Sequence, residues 1–418
     1  MKAIDDFLNK YQMSEGNINI EDSLRKLNET SNKGLSGSGK IKDYSIPMIP
    51  TYLNPDIKIK NQEKVIVVDA GGTNLRVGIA LYDGSDFVIL DTKEDKMPGI
   101  DREYSKEEFF DYIAIRMKPF LNEAVNIGFC FSYRVAMNKD LDGRLIAWAK
   151  EIKAKEVVDS LVGEELLKAV KKYSDVERKI VVLNDTAAVL LGGIPLDKEK
   201  SCDKYVGAIY GTGFNCCYIE DVKNIVKLND SLNKTMIINT ETGNFSGFPK
   251  GLFDIELTKE SNIVDEALTE KMTSGRYLST LIYKASLKAM EDGLISKETK
   301  MIDADLATIS KYLMGLDNSL DKCFKTNDDI TKYKEIANGL IKRASKLVAI
   351  VISSFAIKSN VKKVGIIVEG STFYKLKGFK ENFNFYFDSI MKSKNIEYQL
   401  FDGRGRILIG AALASMLK

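Results

Sequence analysis

The chain has 418 residues, with 61 Lys+Arg against 59 Asp+Glu and no histidine. Its 44% hydrophobic and 29% charged residues suit a globular protein of two or three domains, and they exclude a disordered chain, a collagen-like chain and a small disulfide scaffold. A formal charge of +2 asks for neither nucleic acid nor an anionic membrane as partner, and the lack of histidine leaves Asp, Glu, Lys, Tyr or Cys for any proton transfer.

In chain order, Met1 to Asn28 reads as helix of mixed charge, and Ser31 to Lys40 as a Gly/Ser-rich loop. Pro47, Pro50 and Pro55 hold an extended connector. Lys64 to Ala70, apolar on both faces, predicts a central strand that ends in Gly71-Gly72. Leu75 to Tyr82 and Phe87 to Thr92 follow as a hairpin turned at Asp83-Gly84. Ser105 to Glu123 is an amphipathic helix, and Val125 to Phe131 and Lys179 to Leu183 are strands. Asp185-Thr186 then caps the next helix.

The pattern then restarts. Tyr205 to Tyr210 is a strand, Gly211 to Asn215 (GTGFN) a turn, and a second strand leaves through Ile219 with Cys216-Cys217 inside it. Two strand–Gly/Thr/Asn turn–strand units predict an internal duplication, one unit per domain; the plainer alternative is two unrelated hairpins. Leu347 to Ile357 is too short to span a bilayer and reads as buried helix. Five cysteines without C-x-x-C spacing read as reduced cytosolic thiols. MKAIDDFLNK lacks a secretion signal's apolar core, so a cytoplasmic protein is expected.

Two phosphate-loop look-alikes fail. Gly34 to Lys40 spells G-x-x-x-x-G-K, but Ile41 follows where a hydroxyl is needed and no apolar strand precedes it. Gly403, Gly405 and Gly410 miss the dinucleotide spacing. Asp69 to Asn74 (DAGGTN) does better. A glycine turn between strands aims backbone N–H groups of Gly71 and Gly72 at phosphate oxygens. Thr73 and Asn74 add donors, and Arg76 adds charge. Asp69 at the strand end suits Mg²⁺, directly or through water. Gly211, Thr212 and Gly213 form a second such turn. Glu369-Gly370-Ser371, after an apolar run, either approaches a nucleotide or is simply a loop. Asp185 in Asn184-Asp185-Thr186 is either a general base at a strand tip or part of a helix cap.

From about Gly34 to the C-terminus the blocks, in order, resemble the hexokinases of the eukaryotic, single-unit type. VVDAGGTNLRVGIAL looks like the first phosphate hairpin, and IGFCFSYRVAMNKDLDGRLIAWAKE like the sugar and lysine segment. VVLNDTAAVLLGG resembles the catalytic-Asp segment, and GAIYGTGFNCCYIE the second phosphate hairpin. INTETGNF and LTEKMTSGRYL resemble sugar-binding segments, IIVEGSTFYKLKGF the adenosine loop, and DGRGRILIGAALASM the closing helix. The resemblance implies an α/β, two-domain actin-like ATPase (ribonuclease H-like) fold, with mixed sheets flanked by helices and a ligand cleft between domains. A small domain would comprise 60–185 plus 402–418, and a large one 1–59 plus 186–401.

The implied activity is transfer of the γ-phosphoryl of Mg-ATP to the 6-hydroxyl of a hexose such as glucose, with ATP and Mg²⁺ as cofactors. By resemblance Asp185 is the base, and Lys150 contacts sugar and the transferring phosphoryl. Ser132, Asn184, Asn215, Glu241 and Glu270 bind sugar, while Thr73, Arg76, Thr212 and Ser371 contact nucleotide. Four features depart from the family pattern: Ala149 for Thr, Arg134 for Pro, Glu369 for Asp, and a final loop lengthened by Arg404 and by Ile407 to Ile409. They bear on sugar preference. Three rivals stand beside the hexokinase: a kinase for another sugar, a catalytically weak sugar or nucleotide sensor, and an ATPase with a protein partner. Monomer and homodimer are both compatible with the sequence.

Overall fold

The computed structural model describes residues 2–37, 45–57, 63–148, 152–228, 234–261 and 266–417. Thirteen strands form among them: β1 Ile49–Pro50, β2 Lys64–Ala70, β3 Asn74–Tyr82, β4 Phe87–Lys96, β5 Asn126–Phe131, β6 Arg134–Met137, β7 Gly143–Ala147, β8 Lys179–Leu183, β9 Lys204–Tyr210, β10 Phe214–Asp221, β11 Thr235–Asn239, β12 Lys363–Glu369 and β13 Glu397–Asp402. One sheet runs β4-β3-β2-β5-β8, another β1-β11-β10-β9-β12-β13, and β6-β7 is a separate hairpin.

The two large sheets repeat one design. In the first, β2 pairs antiparallel with β3 and β3 with β4, while β2–β5 and β5–β8 are parallel. In the second, β9–β10 and β10–β11 are antiparallel, and β9–β12 and β12–β13 parallel. Both therefore read third-second-first-fourth-fifth, so the duplication extends well beyond the two turns that suggested it. The second sheet adds β1 at its edge, from the proline-rich connector.

Period two decides where each strand's side chains go. On β2, Ile66, Val68 and Ala70 pack in an outer core with Phe109, Phe110 and Ile113, while Val65 and Val67 face a central core with Ile409, Ala411 and Ala412. On β12, Val364, Ile366 and Val368 join the outer core of the second sheet, and Ile367 faces the centre. Strands buried on both faces read as unbroken apolar runs.

Two helices build the central core, and each leaves one sheet to cover the other. The helix Asp185–Gly193 follows β8 of the first sheet and packs on β9, β10 and β12. The helix Arg406–Ser415 follows β13 of the second sheet and packs on β2, β5 and β8. They cross each other closely, with Gly192 against the backbone of Arg406 and Gly410 against that of Ala188. Arg406 donates to the Gly192 carbonyl and to Asp86 Oδ2, at 2.6 Å, in the β3–β4 turn.

Several local readings are corrected. The N-terminal stretch is two helices, Lys2–Lys10 and Ile20–Ser36, separated by a 3₁₀ turn. Ser31 to Ser36 is therefore helix, because Leu24, Leu27, Ser31 and Leu35 recur on one buried face and Gly37, in the left-handed region, ends it. The rest of the expected loop, 38–40, lies outside the described residues. Lys227 Nζ donates to the carbonyls of Gly34, Pro47 and Met48 at 2.6–2.8 Å, which ties the helix end to the connector. The helix after Ser105 spans Lys106–Met117 and stops before Pro119, and β4 continues past Thr92 to Lys96. Ile407 to Ile409 lie in the first turn of a helix, not in a lengthened loop, because Leu408 and Ile409 bury in the central core. Leu347 to Ile357 belongs to the 32-residue helix Asn327–Lys358. All five cysteines are buried and unpaired. Among the described residues no helix is long and apolar enough to cross a membrane.

Candidate active site

The two sheets bring their functional turns to matching edges. In the first, the β2–β3 turn carries Gly71, Gly72 and Thr73, β5 leads into Ser132, and β8 leads into Asn184 and Asp185. In the second, the β9–β10 turn carries Gly211, Thr212 and Gly213, β12 ends at Gly370 and Ser371, and β11 ends two residues before Glu241. Ligands of open α/β sheets bind outside the carboxyl ends of parallel strands, and these residues stand there.

Asn184 is the N-cap of the crossing helix: its side chain accepts from Thr186 N at 2.9 Å. The sequence reading gave that task to Asp185-Thr186. Asp185 is the first helical residue; its Oδ1 also accepts from Thr186 N, at 2.8 Å, which orients the carboxylate. It is half-buried at the helix N-terminus, where the helix dipole favours negative charge.

Asp185 is felt from both sheets. Burial first, and the Asp185 charge next among the groups that oppose ionisation, hold the Glu369 carboxyl above the ordinary range. Burial also raises Glu241; the Asn239 hydrogen bond and the Arg134 charge pull it down, and Asp185 pushes it up. Asp69 is raised by burial against the pull of Arg76, with Asp185 adding to the rise. Carboxylates from both sheets thus share one field.

In the first phosphate turn, Gly71 N donates to Asn74 O at 3.0 Å and closes the hairpin. Tyr133 donates its hydroxyl to Gly71 O at 2.7 Å, and Ser132 N donates to Ala70 O at 3.1 Å, so the segment after β5 braces the turn. Arg76 Nε donates to Asp69 Oδ2 at 3.1 Å and Nη2 pairs with the same oxygen. Asn74 Nδ2 donates to Glu94 Oε1 at 2.6 Å, which ties the turn to β4.

In the second turn, Gly211 N donates to Gly213 O at 3.0 Å, and Glu270 Oε2 accepts from Phe214 N at 3.0 Å. A Cβ on Gly213 would stand 2.8 Å from that same Glu270 oxygen, so a larger residue there would displace the carboxylate from Phe214 N. Gly370, at φ +123°, sits against the Tyr210 carbonyl with no room for a side chain, bringing the Ser371 turn onto the β9–β10 turn.

A polar relay supports Glu241. Asn215 Nδ2 donates to Asn239 Oδ1 at 2.8 Å, and Asn239 Nδ2 donates to Glu241 Oε1 at 2.8 Å. Asn215 Oδ1 accepts from Cys216 N and Thr242 N. Glu241 itself is held at φ +55°. Sequence reasoning missed Asn239; its signal was a polar residue closing the buried strand TMIIN two positions before Glu241. It also missed Tyr133. Lys150 and Ala149 lie outside the described residues. The flanks are fixed by Trp148 Nε1, which donates to Ala154 O at 2.7 Å.

Magnesium prefers oxygen ligands and keeps several waters, so one or two carboxylates suffice beside phosphate. Asp69 and Asp185 offer that much. Among the described residues no three acidic or thiol groups form a closed metal cage. Arg76 Nε and Nη2 both pair with Asp69 Oδ2, so the carboxylate would be held in place for an ion bound directly or through water.

Protein-family comparison follows the duplication. One model, described as hexokinase, matches residues 3–194, which hold the first sheet, and another with the same description matches 205–417, which hold β9 to β13. Hexokinase-1 of Saccharomyces cerevisiae is 28% identical over 390 residues, covering 84% of this chain and 78% of the relative. The hexokinase of Kluyveromyces lactis is 28% identical over 435 residues, covering 92% and 86%. The structure of a Schistosoma mansoni hexokinase complexed with glucose superposes with a TM-score of 0.82 at 24% identity, covering 100% of this chain and 98% of that one. A glucokinase of the ROK family from Streptomyces griseus, in complex with glucose and AMPPNP, gives 0.51 at 17% identity over 84% of this chain and 98% of its own. With both halves matched in the order in which the two sheets occur, the chain belongs to the hexokinase family.

Proposed function

We propose that the protein is an ATP-dependent hexokinase that transfers the γ-phosphoryl of Mg-ATP to the 6-hydroxyl of glucose or a related hexose, with Asp185 as general base. The observation that carries this is the position of Asp185. It opens the helix that passes from one sheet to the other, and its charge reaches Glu241 and Glu369 of the second sheet as well as Asp69 of the first.

The residue roles follow from the chemistry each group offers. Sugar hydroxyls are held by Glu241, Glu270, Asn215, Asn184 and Ser132. A buried acceptor left unpaired penalises the wrong epimer, so the Asn215–Asn239–Glu241 relay sets selectivity. Asp185 accepts the hydroxyl proton, and Lys150 steadies the charge that develops on the phosphoryl. Backbone N–H groups of Gly71, Gly72, Gly211 and Gly213, with Thr73 and Thr212, cradle the phosphates, and Gly370 and Ser371 meet the adenosine. Asp69 would hold the magnesium that arrives with ATP, directly or through water, and the ion would neutralise charge on the phosphate oxygens. Catalysis is then mostly positioning and exclusion of water between the small domain (60–185 plus 402–418) and the large one (1–59 plus 186–401).

The test is ADP release from Mg-ATP without sugar, then with glucose, fructose, mannose and glucosamine in turn. Strong sugar-dependent turnover is expected and would rank the substrates. ADP release indifferent to sugar, or none with any sugar, would overturn the reading in favour of an ATPase or a sensor.

A further inference from the structure

Arg134 and Glu266 belong to different halves of the molecule and meet at the sugar end of the cleft. Arg134 begins β6, in the hairpin whose Val135 and Leu145 pack in the outer core of the first sheet. Glu266 precedes the helix Leu268–Thr273, whose Met272 packs in the outer core of the second sheet and whose Glu270 reaches the β9–β10 turn. Arg134 Nη1 lies 3.7 Å from Glu266 Oε2.

The side chains are 30% and 57% exposed, and it is the backbone beside each that is anchored. On the first side, Ser132 and Tyr133 are hydrogen-bonded to Ala70 and Gly71 of the phosphate turn. Tyr133 also packs edge-on against Trp148, with ring centroids 4.7 Å apart. A register shift between Arg134 and Val135 breaks the regular ladder there, the kind of bulge that redirects a side chain. On the second side, Ala267 at φ +55° donates its N–H to Asn244 Oδ1 at 2.8 Å, and Asn244 Nδ2 donates to Glu241 O at 3.3 Å. The positive charge of Arg134 also reaches the Glu241 carboxylate. The contact therefore links the brace of one phosphate turn to the loop that carries the relay's end.

We propose that the Arg134–Glu266 pair is a latch between the two halves at the sugar end of the cleft, which biases them toward the closed arrangement and so raises affinity for sugar. A ligand that binds the closed form better gains whatever the latch contributes to that form's population. Arg134 is a positioning residue here, because it acts through the closure equilibrium and touches no reacting atom. The proposal rests on the hexokinase reading.

The test titrates glucose calorimetrically into the full chain without nucleotide, for wild type, Arg134→Gln, Glu266→Gln, the double variant and the charge swap Arg134→Glu with Glu266→Arg. A partly exposed pair predicts that each single variant raises the glucose Kd by about 2- to 5-fold at low salt. The loss should disappear at about 0.5 M salt, where the pair is screened. The double variant should bind no more weakly than either single one, and the swap should recover most of the affinity. In ADP release the single variants should raise KM for glucose and leave kcat within about 2-fold. Additive effects, a swap no better than the single variants, or an unchanged Kd would overturn the latch alone. A wild type with neither a glucose heat nor sugar-dependent ADP release would overturn it together with the hexokinase reading.

Discussion

Gly410 lies against the carbonyl oxygen of Ala188 so closely that a methyl group on its Cα would overlap that oxygen. The two residues sit on the crossing helices Arg406–Ser415 and Asp185–Gly193, and Gly192 makes the reciprocal approach to the Arg406 backbone. Since each helix starts from one sheet and covers the other, their crossing is the place about which the halves are joined. It also sets the direction in which Asp185 points.

Gly410→Ala should therefore destabilise the protein sharply. The obstructing atoms are backbone, which cannot rotate away, so a cost of about 3 kcal/mol is expected from overpacking. Urea unfolding checks this: the midpoint should fall while the slope holds. An unchanged midpoint would mean that the helices separate without cost.

Asn239→Leu keeps the branched shape of the side chain and removes both relay bonds. Glu241 loses a donor at 2.8 Å, and Asn215 loses its acceptor. Hydrogen bonds to charged groups contribute about 1.5–3 kcal/mol, so the KM for glucose should rise by roughly 10- to 100-fold, with a smaller fall in kcat. Steady-state kinetics on glucose separates the two; a kcat loss at constant KM would place Asn239 in the transition state instead.

The acidic side of the pH profile carries a signature of burial. Glu241, Asp69 and Glu369 all have carboxyls raised in the folded protein, by burial first. The native state therefore binds protons more readily than the unfolded chain. The resulting cost to stability is fully present above the raised native values and vanishes below the unfolded ones. Sugar-free protein should gain stability from these groups as pH falls through the raised range. Glucose affinity should move the opposite way, because protonated Glu241 is a poorer acceptor. Binding should begin to weaken at a pH above the usual glutamate value of 4.5, and Glu241→Gln should flatten that limb. Calorimetric titrations between pH 4.5 and 8 read it directly; a limb unchanged in the Gln variant would exclude Glu241 as its source.

What could be seen in the sequence divides along physical lines. β2, β5, β8, β9 and β12 were visible because strands buried on both faces are unbroken apolar runs. The duplication showed in two glycine turns, but the shared strand order needed long-range pairings such as Lys204 of β9 with Val364 of β12. The swap of the two helices was hidden, since nothing in DTAAVLLGG says which sheet its apolar surface will meet. Helix Ile20–Ser36 was half hidden because Ser, Asn and Gly in its last turns read as loop until Lys227 and the connector close over them. Asp185 was visible as either a strand-tip base or a cap, and only the family resemblance favoured the base; Glu241 alone is a surface carboxylate. Asn239 left only the weak signal of a polar residue closing a buried strand, and the partner of Arg134 became visible only in the folded geometry.

Asp185 as general base is tested by glucose binding and glucose-dependent ADP release, measured side by side for wild type and Asp185→Asn. The asparagine retains an oxygen for Thr186 N, and Asn184 still caps the helix, so the fold and glucose binding should survive. Turnover should drop by about 10²–10⁴-fold through loss of the base. A variant that binds glucose and turns over at the wild-type rate would contradict the account, because the proton would then leave by another route.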